Sequence, residues 1–203
     1  MDGTLRLVTP PAADPVMLDI ARQHLRQDQT EDDVIVALLL KAAVDTVEAA
    51  TGRALVPQTW DYVLPWQWRC GWSYTNSAHW YHRTITLPLA PLMSVEAVSV
   101  GGVDVDPAGY VVDAPSGPTC GRASIRLDYG AGWPDGYADH NALTIRFQAG
   151  YRVVPAGLQA AVLMALGSLY ENRAAEAETG GGTARSLSAN PAFERLIRPF
   201  QLL

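Results

Sequence analysis

The sequence predicts an α+β protein: a three-helix core with an antiparallel β module inserted between the second and third helices, plus an extended C-terminal tail. Three observations lead there. A helical start signal, period and stop signal coincide from Thr30 to Thr51, the apolar period changes to two between Pro57 and Gly150, and a helical stripe returns after Gly150. The chain therefore divides into residues 1–56 (arm and helical hairpin), 57–150 (β module), 151–174 (third core helix) and 175–203 (a flexible tail).

Met1 to Pro15 reads as an extended arm whose Leu5, Leu7 and Val8 can pair with a sheet edge, while Pro10, Pro11 and Pro15 exclude a helix. Val16 to Gln27 follows as a short helix with Leu18, Ala21 and Leu25 on one side. Met17 stands at its cap position, where it offers no side-chain oxygen. The short connection to the next helix predicts an antiparallel hairpin.

The helix from Thr30 to Thr51 opens with Thr30 as cap and Glu31, Asp32 and Asp33 in its first turn, where the positive end of the helix dipole favours carboxylates. Asp33 is also placed to close a capping box. Ile35, Leu38, Leu39, Ala42, Thr46, Ala49 and Ala50 predict one apolar stripe along its length. Gly52 suits a left-handed cap, and Pro57 ends any continuation.

Seven β-rich runs follow: Gln58 to Leu64, Arg83 to Leu87, Ser94 to Val100, Val103 to Val105, Gly109 to Asp113, Ala123 to Leu127 and Leu143 to Ala149. Gly101-Gly102 between two of them predicts a type I′ hairpin, which needs positive φ at both central residues. Pro65 to His82 and Tyr129 to Asn141 are long loops. Beyond Val154-Pro155, the residues Leu158, Ala161, Val162, Ala165, Leu166 and Leu169 form the stripe of the third helix, which should pack on the first two. Gly180-Gly181-Gly182 then interrupts the chain before a last apolar stretch, Phe193, Leu196, Ile197 and Phe200, at helical spacing.

Composition narrows the function. With a net charge of −6 and Lys41 as the single lysine, the chain is not built to grip phosphate backbones, which takes clustered cations, although an acidic surface suits a conduit past which DNA slides. No apolar run approaches the ~20 residues of a membrane span. Met1 to Pro15 lacks the basic and apolar regions of a secretory signal, which predicts a cytoplasmic protein with Cys70 and Cys120 as free thiols.

No catalytic constellation is visible, and no metal or cofactor is expected. His79 and His82 share an irregular loop without further ligands, Gly130-Ala-Gly132 precedes Trp133-Pro134 rather than a helix, and Ser116 and Ser168 lack a nucleophile elbow. The loop from Pro65 to His82 is unusual in carrying Trp66, Trp68, Trp72, Tyr74, Trp80 and Tyr81. So many rings exceed what one loop can bury, and aromatics are enriched at interfaces, so Trp66, Trp68, Trp72 and Trp80 are candidates for contact with a neighbouring subunit or another component. The competing reading is a small enzyme or carbohydrate-binding module that uses this loop.

The order of several short pieces resembles the head-tail connector, or adaptor, proteins of tailed bacteriophages and gene transfer agents. These are Leu5-Arg-Leu-Val8 before Pro-rich sequence, Ala21 to Arg26, Thr51-Gly-Arg-Ala-Leu55, Pro57-Gln-Thr-Trp60, Ile85-Thr-Leu-Pro88 with Pro91-Leu92 and Ser94-Val95, Tyr129-Gly-Ala-Gly-Trp133, and Ala149-Gly-Tyr151. The similarity spans residues 4 to 174, and Met17 and the Trp-rich loop depart from the common pattern. The resemblance implies a virion protein and not an enzyme: a homo-oligomeric ring of twelve subunits beneath the portal protein, joined below to a tail-completion or stopper protein. DNA would pass through it without specific binding. By position rather than by motif, the resemblance also implies that Phe193, Leu196, Ile197 and Phe200 engage the portal.

Overall fold

The computed structural model describes residues 3–27, 32–65, 84–128, 143–178 and 190–202, with side chains in the third helix as far as Glu171. Its elements, in chain order, are β1 (Thr4–Thr9), α1 (Leu18–Leu25), α2 (Asp33–Thr51), β2 (Gln58–Leu64), β3 (Thr84–Thr86), β4 (Leu92–Val100), β5 (Val103–Asp104), β6 (Tyr110–Asp113), β7 (Ser124–Leu127), β8 (Leu143–Ala149), α3 (Ala156–Glu178) and α4 (Pro191–Ile197). The fold is α+β, and the chain forms two compact units: Met1–Ala12 with Pro57–Gly150, and Ala13–Val56 with Tyr151–Leu203.

The first unit holds two antiparallel sheets, ordered β1-β2-β8-β4-β5 and β3-β7-β6. β8 lies at the centre of the larger sheet, and its sequence is written for that place. Leu143, Ile145, Phe147 and Ala149 are fully buried, and Thr144, Arg146 and Gln148 alternate with them on the other face, as the two-residue period of a strand requires. On that other face Arg146 lies directly opposite Asp61 of β2 and meets it with two bonds of 2.8 Å, a bidentate cross-strand ion pair. The Asp61 carboxylate holds the Arg146 guanidinium above its ordinary pKa, chiefly through this hydrogen bond.

Gly101 and Gly102 have φ of 57° and 83°, so the hairpin between β4 and β5 has the backbone its sequence requires. The predicted arm pairs as expected: Thr4 to Thr9 runs antiparallel to β2 and forms the edge strand of the sheet. Gly3 opens it because a Cβ there would collide with the Tyr62 ring. The arm thus groups with the sheet rather than with the helical hairpin, since its backbone pairs with β2.

The second unit is helical, and among its described residues a fourth helix, α4, joins the expected three. α1 and α2 form the predicted hairpin, fastened by Arg22, whose Nε and Nη2 donate to the two carboxylate oxygens of Asp33 at 2.6 and 2.5 Å. Asp33 is thereby engaged in an ion pair, and the capping box expected of it falls on Thr30. Asp32 stands at the cap without a side-chain capping bond, its carboxylate accepting from the Gln27 side chain at 3.3 Å, and Thr30, the expected cap, lies outside the described residues. Gly52 adopts the left-handed cap with φ 70°.

The buried face of α2 is one position away from the predicted stripe. Val36, Leu40, Ala43, Val47 and Thr51 are buried, while Ile35, Leu38, Thr46 and Ala49 are exposed and Leu39 and Ala50 lie at the margin. The cause is compositional: Val34 to Ala43 is apolar almost throughout, so two helical stripes were available and packing against α3 chose between them. α3 offered no such ambiguity, and Leu158, Ala161, Val162, Ala165 and Leu166 are fully buried as expected.

The C-terminal stretch departs most from the expectation of an extended tail. Residues 190–197 turn into α4, capped by Asn190, whose side chain accepts from the Ala192 N–H at 3.0 Å, and a 3-10 turn follows at Arg198–Phe200. Phe193, Ile197 and Phe200 are buried in the core of the helical unit, with Leu196 partly buried beside them. Burying each contributes about 1.5 to 3 kcal/mol, which is reason enough for the segment to dock on its own chain.

Candidate interaction surfaces

Among the described residues no group of histidine, cysteine, aspartate or glutamate could hold a metal ion. Of the predicted chemistry-bearing side chains, His24 packs near Gly167 of α3, where a Cβ would lie 3.5 Å from its Nε2, and Cys120 is buried. His79, His82, His140, Cys70 and all four loop tryptophans, Trp66, Trp68, Trp72 and Trp80, lie outside the described residues. What the described surface offers is places to dock.

The first of these is the terminal segment. Arg53, immediately after the cap of α2, is buried, and its guanidinium donates from Nε to the Phe200 carbonyl and from Nη1 to the Tyr151 hydroxyl at 3.1 Å. The Leu202 N–H donates to the Thr51 carbonyl at 3.1 Å, filling one of the acceptors that a helix end leaves open. Gly157, with a prospective Cβ 3.2 Å from the Phe200 ring, lets that ring approach α3. Sequence reasoning missed Arg53 because a lone arginine after a helix carries no signal of burial.

The second is an apolar face. Met17 (73% exposed) and Ile20 stand on α1, and Val34 (83%), Ile35 and Leu38 (67%) on the first turns of α2. Met17 sits at the cap position of α1 without making a side-chain cap bond, so neither capping nor core packing explains it. Asp19 lies at the same end, its side chain 84% exposed and 3.6 Å from Arg22, which is already bonded to Asp33.

In the sheet unit, β1 is almost wholly exposed on both faces, with Leu7 and Val8 among the exposed residues. Tyr110, at the start of β6, is held above the ordinary phenol pKa by burial and then by the nearby Asp106 carboxylate.

No protein-family model matches the sequence, and no curated protein matches it. Solved structures do. The fold is similar to that of a chain in the neck of an empty gene transfer agent (GTA) particle computed with C6 symmetry, with a TM-score of 0.71 and 21% identity over 98% of this chain and 96% of that one. A chain in the virion of a native GTA particle matches with a TM-score of 0.70 and 23% identity, over 98% and 95% of the two chains. A chain in the neck of a native GTA particle computed with C12 symmetry matches with a TM-score of 0.69 and 21% identity, over 98% and 96%. At these identities the likeness establishes the fold, and it extends over both units of the chain.

Proposed function

We propose that this chain is a structural component of the neck of a tailed phage or phage-like gene transfer agent: a head-tail adaptor, one copy in a ring beneath the portal. The ring connects the DNA-filled head to the tail-completion or stopper protein, and DNA passes through it. The observation that carries this reading is the extent of the likeness to neck chains, which covers nearly the whole of both partners and both compact units. Cyclic symmetry of those assemblies supports a ring, and the residues that carry the sequence resemblance point to the same role independently. A net charge of −6 agrees with a channel that does not hold DNA.

Within this reading the Trp-rich loop contacts a neighbouring subunit or the next tail component, and the terminal segment meets the portal. Because Phe193, Ile197 and Phe200 lie in their own core, engaging the portal through them requires the segment to exchange that core for a groove of comparable depth. The reading is tested by deleting the gene from a particle-producing strain. DNA-filled heads without tails are expected, and restoration of tails by the reintroduced gene completes the test. Tailed, infective or gene-transferring particles in the deletion strain would overturn it.

A further inference from the structure

We propose that the groove filled by residues 190–202 is a helix-binding site, occupied in the free chain by the chain's own terminal segment, which docks and leaves as a unit while α1, α2 and α3 stay folded. The ligand it takes is an amphipathic helix with the spacing of Phe193, Ile197 and Phe200, followed by extended main chain that Arg53 and Thr51 hold. The inference goes beyond the neck reading and does not depend on it.

The groove is assembled from groups outside the segment. α1, α2 and α3 pack on one another. Past the end of α2, the Glu48 carboxylate accepts the Leu55 N–H at 2.7 Å, and the Leu55 carbonyl accepts the Tyr151 N–H at 3.4 Å, so the turn that carries Arg53 is fixed from both sides. The Tyr151 hydroxyl then accepts from Nη1 of Arg53 at 3.1 Å and orients the guanidinium, whose Nε donates to the Phe200 carbonyl. Beside it the Thr51 carbonyl accepts the Leu202 N–H at 3.1 Å, and a Cβ on Gly52 would stand 3.4 Å from Leu202 Cδ1. Both bonds fall on main-chain atoms, which any peptide in this conformation supplies, while the Phe200 ring beside Gly157 of α3 tests the side chain. Donors held in place before the ligand arrives cost little to order on binding.

The segment is in turn a self-contained ligand. Asn190 caps α4, Pro191 stands in its first turn, and the Glu194 and Arg198 N–H groups donate to the Asn190 and Glu194 carbonyls. The helix therefore carries these bonds with it when it leaves. Phe193, Ile197 and Phe200 complete the core of the docked state, and internal capping makes their helix a separate cooperative piece, the condition for a part of a fold to open below global unfolding.

Two measurements on the full chain test the groove. In native-state hydrogen exchange of wild type, the Ile197, Arg198 and Leu202 amides should share one opening, at least about tenfold more frequent than that of the Leu158–Leu166 amides of α3. The second measurement is the fluorescence anisotropy of a fluorescein-labelled peptide of residues 190–203. Wild type should bind it poorly, because the tethered segment competes at an effective concentration on the order of millimolar. The full chain with Phe193→Ala and Phe200→Ala should bind it at least about tenfold more tightly. Adding Gly157→Leu, a better helix former that fills the place of the ring, should remove that gain. Equal opening of the segment and α3 in wild type, loss of α3 protection in the Ala variant, peptide binding to that variant no tighter than to wild type, or a gain that survives Gly157→Leu would each overturn the groove. The neck assignment is judged separately by the deletion strain.

Discussion

The buried guanidinium of Arg53 holds the backbone carbonyl of Phe200, a residue 147 positions later in the chain. The same group bonds the Tyr151 hydroxyl, so one side chain joins the end of α2, the approach to α3 and the terminal segment. That junction turns a stretch that reads as a detachable tail into part of the helical core.

Replacing Arg53 with Ala should therefore destabilise the protein by about 3 to 5 kcal/mol, since a carbonyl and a hydroxyl lose their donor in a buried site. Lys should not restore it, because a single ammonium on a flexible stem does not reproduce the guanidinium fork. Denaturant titration of the two variants measures both effects, and a loss below about 1 kcal/mol for Ala would refute the junction.

Truncation after Ala184 removes Phe193, Ile197 and Phe200 from the core. The truncated chain should melt well below the full chain and expose apolar surface to a dye such as ANS, because each lost ring or branched side chain is worth about 1.5 to 3 kcal/mol. A melting temperature unchanged from wild type would mean that the segment is not held as described.

The face of α2 can be tested by comparing two leucines two residues apart. Leu40→Ala should cost about 2 to 5 kcal/mol through the cavity it leaves, and Leu166→Ala on α3 a similar amount. Leu38→Ala, at an exposed position, should stay within about 0.5 kcal/mol of wild type. Equal losses at Leu38 and Leu40 would restore the stripe read from periodicity.

Asp61 and Arg146 form a good bidentate pair on a face open to water. A double-mutant cycle with Ala at both positions should give a coupling of only about 0.2 to 1 kcal/mol, falling as salt is added. Coupling that is insensitive to salt would indicate a desolvated pair.

Trp68→Ser combined with Trp72→Ser should leave the melting transition in place and block particle assembly, if those rings face another subunit or tail component. Normal yields of complete particles from the double variant would remove the loop from the interface.

Local signals in the chain were enough to specify the α+β class, the Gly101-Gly102 turn, the Gly52 cap, the alternation along β8 and the buried face of α3. Each depends on a few neighbouring residues: a glycine that tolerates positive φ, or apolar positions interrupted by polar ones at a single period. The pattern Phe193, Leu196, Ile197 and Phe200 likewise announced an apolar helical face. Its destination was not legible, because periodicity identifies a face and not the surface that will cover it. The same limit explains α2, where Val34 to Ala43 is apolar on more than one side and the packing of α3 selected Val36 and Leu40 over Ile35 and Leu38. Arg53 is the extreme case. Its burial depends on Tyr151 and on the Phe200 carbonyl, and those partners come within reach of each other only once the helices have packed.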